Sequence, residues 1–352
     1  MSAKKKMEKL RTLPITAILI GTLMNKAVNI LVTSAGRRVE LVKCFAAARD
    51  ALGLAGNVVC CDMDANAPAL QFADCACLAP RIDSGKYTGA LVDIARKQAI
   101  SLIVPTIDTE LPLLAEAQGE IEKATGAKVL VSSPECIATC RDKERTARFF
   151  AANGLDFPRT YSRGELASPN LAFPLFIKPR GGSSSIGAFR VENRRELDFF
   201  LGYVRDPIIQ DCVAGAEYSV DAFLDFNAEI ISVVPRRRLA VRAGEILRGR
   251  IDMAPAVIAA AHRLLKALAP IGPVTVQGFL CEDGKFRFTE VNPRFGGGAP
   301  MSIAAGADSC SNLYRLLSGM PVPKPQIRDG ATFSRFDQTI EITRRGGPAQ
   351  EP

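Results

Sequence analysis

Apolar positions along this chain keep two different rhythms. From Val28 to Ser132, short continuous apolar runs alternate with stretches of helical period. Val28–Thr33, Asn57–Cys61, Ser101–Pro105 and Lys128–Ser132 are the runs; the helical stretches end at Leu52 and cover Tyr87–Gln98 and Thr109–Thr125. Uninterrupted apolar runs of this length read as strands buried on both faces, with helices returning the chain for parallel pairing. The order predicts an α/β unit built on a doubly wound parallel sheet. A helix from about Cys140 to Asn153 ends at Gly154, and beyond it the pattern becomes antiparallel. Phe173–Lys178, Ala188–Val191, Pro207–Asp211, Glu217–Asp225 and Ala228–Pro235 read as strands, with helices at Arg194–Tyr203 and Ala254–Leu268. Arg236–Arg250 reads as an irregular basic segment, Met301–Gly306 and Ser309–Leu317 as helices, and the stretch after Pro321 as loose.

The most informative stretch is Thr275–Gly298, where two strand-like runs flank Glu282-Asp283-Gly284-Lys285. Asp-Gly between alternating runs is a strong hairpin signal. With Asp283-Gly284 as a two-residue loop, Cys281 faces Phe286, Phe279 faces Phe288 and Gln277 faces Glu290. Asn292 then shares the face of Glu290. One carboxylate and two amide oxygens make a poor calcium cage, but they suit magnesium, which keeps waters and takes oxygens from phosphates. Arg294 and Gly296-Gly297-Gly298 follow directly, a fixed cation and a run where backbone approaches a ligand closely.

Composition narrows the chemistry further. The 352 residues suffice for two or three domains, and 47% hydrophobic with 23% charged residues is the balance of a globular protein. The net charge of +8 includes Lys4-Lys5-Lys6, and without tryptophan nothing interleaves bases with aromatics for nucleic acid binding. Ten cysteines form no metal-finger spacing and read as free thiols of a reducing cytoplasm. The single histidine, His262, lies in an apolar helical pattern, which argues against histidine metal sites and Ser-His-Asp hydrolysis. Leu13–Leu23 is too short to span a bilayer. Met24 precedes the first strand, so residues 1–23 are expected to be a disordered extension from an upstream start.

Two loops remain as candidate anion sites. Lys178 ends a strand and is followed by Arg180–Gly187, a Gly/Ser loop whose N–H groups and hydroxyls can close over phosphates. It is not a Walker loop, since no Gly-Lys-Ser/Thr follows the glycines. Ser34-Ala35-Gly36 is a strand-to-helix turn and Asp62 ends the second strand, yet the full dinucleotide fingerprint is absent. The strand ends around Pro105–Glu110 are expected to reach a shared cleft.

Lys143, Lys178, the Gly/Ser loop, Gln210, Glu217, Gln277, Glu290, Asn292 and Arg294 occur in one order that resembles the ATP-grasp superfamily, most closely its carbamoyl-phosphate synthase large-subunit-like branch. The resemblance covers roughly Val28 to Leu317 and is most specific at Val276-Gln277 and Thr289–Arg294. It implies a pre-ATP-grasp Rossmann-like domain at 24–135 and an ATP-grasp domain, α+β in character, at 136–320. The small lobe would span about 155–211, the large lobe about 212–320, and a C-terminal tail 321–352. By the same resemblance Lys143 and Lys178 hold ATP phosphates, covered by Ser183, Ser184 and Ser185. Gln210, Asp211 and Val213 belong to the adenine hinge, and Glu217 takes the ribose. Gln277, Glu290 and Asn292 ligate two Mg2+ ions, with Mn2+ as a substitute, and Arg294 and Lys178 act on the transferring phosphoryl group. Arg242, Glu245, Arg248 and Gly297 are expected to line the substrate pocket. The implied activity is an ADP-forming carboxylate–amine ligase with an acyl phosphate intermediate. Its partners would be small molecules, neither nucleic acid nor membrane, in a cytoplasmic enzyme, and the resemblance leaves room for a homodimer. The chain carries one grasp unit and no glutaminase segment, so carbamoyl phosphate synthesis is the lesser reading, beside a non-catalytic nucleotide-binding partner protein.

Overall fold

The computed structural model describes residues 27–182 and 186–342, so the expectations for residues 1–23 lie outside it. The first unit runs β1 (Asn29–Thr33), α1 (Val39–Ala51), β2 (Val58–Asp62), β3 (Cys75–Leu78), α2 (Tyr87–Lys97), β4 (Ile100–Pro105), α3 (Leu111–Thr125) and β5 (Lys128–Val129). Its five strands are parallel in the order β3-β2-β1-β4-β5. The order reverses between β1 and β4, and their carboxyl ends open the crevice where such sheets place ligands. β3 escapes the sequence pattern because half its side chains are exposed and Cys75-Ala76-Cys77 is too short to register.

The expected helix over Cys140–Asn153 is two, α4 (Pro134–Arg141) and α5 (Lys143–Ala152). Asp142 breaks them: its extended backbone ends one helix, and its carboxylate caps the other by accepting from the N–H groups of Glu144 and Arg145. After α6 (Arg163–Leu166), β6 (Leu175–Pro179), β7 (Phe189–Val191), α7 (Arg194–Tyr203) and β8 (Pro207–Asp211) form a three-stranded antiparallel sheet, order β7-β6-β8, with α7 beside it.

A larger sheet follows: β9 (Ala216–Leu224), β10 (Ile230–Arg242), β11 (Glu245–Ile251), α8 (Pro255–Leu268), β12 (Gly272–Leu280), β13 (Phe286–Asn292), α9 (Ala299–Ala304), α10 (Ser309–Leu317) and β14 (Thr332–Ser334). Its six strands lie in the order β13-β12-β9-β10-β11-β14. Two expectations are corrected here. Arg236–Arg250 is no irregular loop but a hairpin, with Arg236 opposite Ile251 and the turn at Ala243-Gly244, both at positive φ. Its arginines conceal the strand because alternate ones are buried, which an apolar pattern cannot register. The stretch after Pro321 is not all loose: β14 pairs with β11, and Arg242 and Glu245 hold Asp337 and Arg335.

One face of the large sheet packs its apolar side chains, Val220, Val276, Val291, Phe286 and Phe288 among them, against α8. The first sheet is joined to it by a second core, in which Phe45 of α1 meets Phe295 and Tyr314 edge-on at 5.9 and 6.2 Å.

Candidate active site

The open face of the large sheet is the floor of the site. Pairing places Glu290 opposite Gln277, Gln277 opposite Ser219 and Ser219 opposite Arg236, one row across four strands. The next row on that face holds Asn292, Thr275 and Asp221. The expected pairing of Gln277 with Glu290 therefore holds, but by a different route. The loop has three residues, Glu282-Asp283-Gly284, closed by Gly284 N–H to Cys281 O (3.0 Å), with Gly284 at φ +76°. That shifts the outer register by one, so Phe279 faces Arg287 and Leu280 faces Phe286. Gln277 and Gly278 then pair with Glu290 and Phe288, leaving Thr289 as an unmatched bulge residue. The bulge resolves a conflict of parity: Phe286 and Phe288 go to the core while Glu290 and Asn292 turn to the cleft. Plain alternation would have put all four on one face.

Between this floor and the three-stranded sheet lies a cleft of about 900 Å³ of empty space, part of it open to solvent. Phe176, Ile186, Cys212, Val213 and Phe279 line its apolar part, and Lys143, Lys178, Glu217, Gln277 and Glu290 its polar part. Lys178 is buried, and its Nζ donates to the carbonyl of bulge residue Thr289 at 3.4 Å. Burial pushes its pKa down to about 8, against the pull of Glu290. Lys143 opens α5 and donates to Gly182 O at 2.9 Å; burial lowers its pKa too, again opposed by Glu290. Asp142, beside it, takes a two-pronged contact from Arg180 at 2.6 and 3.0 Å, which ties the α5 start to the Gly/Ser loop.

Behind Glu290 a second cleft is lined by Arg38, Arg236, Arg238, Arg294, Glu245 and Gly296–Gly298. It adjoins a third, at the β1–β4 crevice, through Arg38, Glu245, Gly296 and Gly297. Arg236 is fully buried, paired with Asp221 at 2.9 Å, and among the described residues its Nε and Nη1 have no partner. Asp221 is braced by Ser302 at 2.6 Å and Thr275 at 3.2 Å. Arg294 pairs with Asp108 at 2.6 Å, while its Nε and Asp108 Oδ1 are also buried without partners among the described residues. Buried donors of this kind are costly unless a ligand or water meets them, so the cleft is built to receive an anion. The crevice itself is fixed by Glu110, wholly buried. It accepts from Thr33, Ser34, Tyr87 and the N–H of Thr106 at 2.8, 3.1, 2.6 and 2.8 Å. Thr106 O in turn accepts from Arg38 at 3.1 Å.

The structure thus gathers Lys143, Lys178, Gln210, Asp211, Val213, Glu217, Gln277 and Glu290 around one cleft, and Gln277, Glu290, Asn292, Arg294, Glu245 and Gly297 around the next. The Gln210 side chain is spent on Thr160 (3.0 Å) and that of Asp211 on Tyr161 (2.7 Å), which leaves mainly backbone there for a ligand. Ser183, Ser184 and Ser185 lie outside the described residues. Arg242 and Arg248 line neither of these clefts: both are exposed, bonded to Asp337 and Ser334. Strand alternation turns Arg236 and Arg238 inward instead. These two and Arg38, singled out by no motif, are what the sequence reading missed; the run Arg236-Arg237-Arg238 was the available signal.

The oxygen set fits magnesium on its own chemistry. Among the described residues no group of three or more His, Cys, Asp or Glu could hold a metal. The side chains of Gln277, Glu290 and Asn292 have no hydrogen-bond or ion-pair partner there either, so their lone pairs are unspent. One carboxylate with two amide oxygens needs phosphate oxygens to complete an octahedron.

The comparisons with known proteins decide the family. Residues 30–130 match the PylC-like N-terminal domain, and residues 140–298 match the ATP-grasp domain. The chain thus carries an ATP-grasp domain. It is 26% identical over 325 residues to formate-dependent phosphoribosylglycinamide formyltransferase of Synechococcus sp. strain CC9605, covering 83% of this chain and 77% of that protein. It is 30% identical over 171 residues to D-alanine–D-alanine ligase of Mycobacterium avium, 44% of this chain and 46% of that one. N5-carboxyaminoimidazole synthetase of Staphylococcus aureus, complexed with ADP, shares the fold with TM-score 0.66, 18% identity and coverage of 86% and 82%. As an ATP-grasp ligase the chain is an ATP-dependent, ADP-forming enzyme that joins a carboxylate to an amine through an acyl phosphate, with ATP and Mg2+ as the superfamily's requirements. Among the described residues no helix is long and apolar enough to cross a membrane.

Proposed function

We propose that the enzyme binds ATP in the cleft between the two antiparallel sheets and passes its γ-phosphoryl group to a carboxylate seated among the arginines behind Glu290. One observation carries the reading: Glu290 lines both clefts, with Lys178 and Lys143 on its nucleotide side and Arg294, Arg236 and Arg238 on the other. Phosphoryl transfer is mostly positioning and neutralisation of charge, and this junction supplies cations on both sides of the transferred group. The apolar walls Phe176, Ile186, Val213 and Phe279 suit the adenine, and Glu217 suits the ribose hydroxyls. Gln277, Glu290 and Asn292 would hold two Mg2+ ions, with Mn2+ able to replace them. When bound, the metal draws charge off the phosphate oxygens.

The chain's own residues do the rest. Lys178 and Lys143 hold the phosphates, Arg294 steadies the acyl phosphate, and the buried guanidinium of Arg236 orients the carboxylate. An amine then displaces phosphate, giving the amide. Ten free thiols suit a cytoplasmic location for the enzyme. The test is oxygen transfer: with a substrate labelled by 18O in its carboxylate, one labelled oxygen is expected in the released phosphate. Unlabelled phosphate would exclude the acyl phosphate.

A further inference from the structure

We propose, resting on the ligase reading above, that the amine substrate is an amino acid, its carboxylate bound by Arg38 and its ammonium group facing Glu245. The inference starts from a charge inventory of the two adjoining clefts. Arg236, Arg238 and Arg294 have carboxylate partners in Asp221, Glu217 and Asp108, and Arg37 and Arg335 share Glu245. Among the described residues Arg38 alone in this group has none; the one hydrogen bond of its guanidinium goes from Nη2 to the carbonyl of Thr106. Its Nη1 edge borders both clefts. Burial, with Arg294 adding to it, lowers its pKa to about 10, and the more distant carboxylates of Glu245 and Asp108 offset this only in part. An anionic ligand would restore what burial has removed.

Glu245 is the complementary group. A Cβ added at Gly297 would stand 3.1 Å from Arg38 Nη1 and 3.8 Å from Glu245 Oε2. Bare backbone therefore separates a cation from an anion, the arrangement that receives a zwitterion. Burial pushes the Glu245 carboxyl up, but Arg335, Arg37 and Arg38 outweigh it and keep it ionised.

The crevice does not suit a phosphorylated amine. A phosphate at the β1–α1 turn needs its N–H groups, and three of them are spent. Ala35 N–H donates to Cys61 O (3.1 Å), Gly36 N–H to Asp62 Oδ2 (2.7 Å) and Arg38 N–H to Ala35 O (2.8 Å). The Asp62 carboxylate fills the anion position itself, and Glu40 adds negative charge in the first turn of α1. A monoanion matched by one guanidinium edge fits; a dianion at this turn meets the carboxylates of Asp62 and Glu40.

Calorimetric titration of the full-length enzyme tests this, with and without Mg2+ and adenylyl imidodiphosphate, a non-hydrolysable nucleotide. The ligands are L- and D-amino acids, their methyl esters and N-acetyl derivatives, and O-phosphoethanolamine. At least one amino acid should bind, and its methyl ester and its N-acetyl derivative should each bind about tenfold or more weakly. Arg38→Met should reproduce the loss seen with the ester, and Glu245→Gln that seen with the N-acetyl compound, with nucleotide affinity unchanged in both. The ester comparison uses wild-type protein, so it stands even if a variant fails to fold. Amino acids that do not bind, an ester that binds as well as its acid, or tighter binding of O-phosphoethanolamine would each overturn the proposal. Wild-type enzyme that does not bind the nucleotide would instead sink the ATP-site reading, and the amino acid titration would still decide this one.

Discussion

Lys178 is the residue in which fold and chemistry conflict most directly. It sits at the end of β6, buried, and among the described residues its side chain hydrogen-bonds only across to the bulge in β13. Its pKa of about 8 lies below the ordinary lysine value near 10.4. The unfolded chain therefore binds this proton more tightly, so the group costs stability while charged, and that cost disappears as pH rises from about 8 to about 10.4. Nucleotide binding has the opposite sign, because phosphates favour the charged amine. Affinity for Mg-nucleotide should hold below pH 8 and fall as pH rises through it, with proton uptake on binding near that pH. Lys178→Arg should weaken binding yet flatten the fall, which titrations across the pH range would read directly. A profile unchanged by that substitution would show that Lys178 does not touch the phosphates.

At the scale of elements, the hairpin of β12 and β13 shows what was legible in the sequence and what was not. The Asp-Gly signal located the turn, and the spacing from Gln277 to Glu290 gave the correct partners. The loop length and the bulge at Thr289 are tertiary decisions, taken because Phe286 and Phe288 gain the core while Glu290 gains the cleft. Gly278 sits beside the bulge, where an added Cβ would lie 2.5 Å from the carbonyl of Arg287 and 2.7 Å from the Phe286 ring. Gly278→Ala should therefore destabilise the protein by about 1–3 kcal/mol, measured by denaturant unfolding. Gly202→Ala in α7, with open space around it, should instead stabilise by about 0.5 kcal/mol. The same lesson applies to β10 and β11: alternation predicts strands only when one face is apolar, and here the inward residues are arginines that the clefts require.

At the scale of the whole molecule, the parallel sheet and the large antiparallel sheet build one site from opposite sides. Periodicity alone showed that two units exist, yet it had no means of pairing Asp108 after β4 with Arg294 after β13, 186 residues away. That pair is nearly closed to solvent. Removing one partner leaves a charge buried alone, so Asp108→Ala should cost about 3 kcal/mol and lower turnover together with stability. Denaturant unfolding and steady-state kinetics on the same sample would check both; a variant with wild-type stability would mean the two sheets are held by the Phe45–Phe295 core instead.

The central claim, that Glu290 organises transfer of the γ-phosphoryl group, is tested most directly by product analysis. Purified enzyme would be incubated with ATP, Mg2+ and an amino acid panel, and its nucleotide products separated. The account predicts ADP and phosphate from the wild type and neither from Glu290→Gln, whose fold is retained. AMP and pyrophosphate, or full ADP formation by Glu290→Gln, would contradict it.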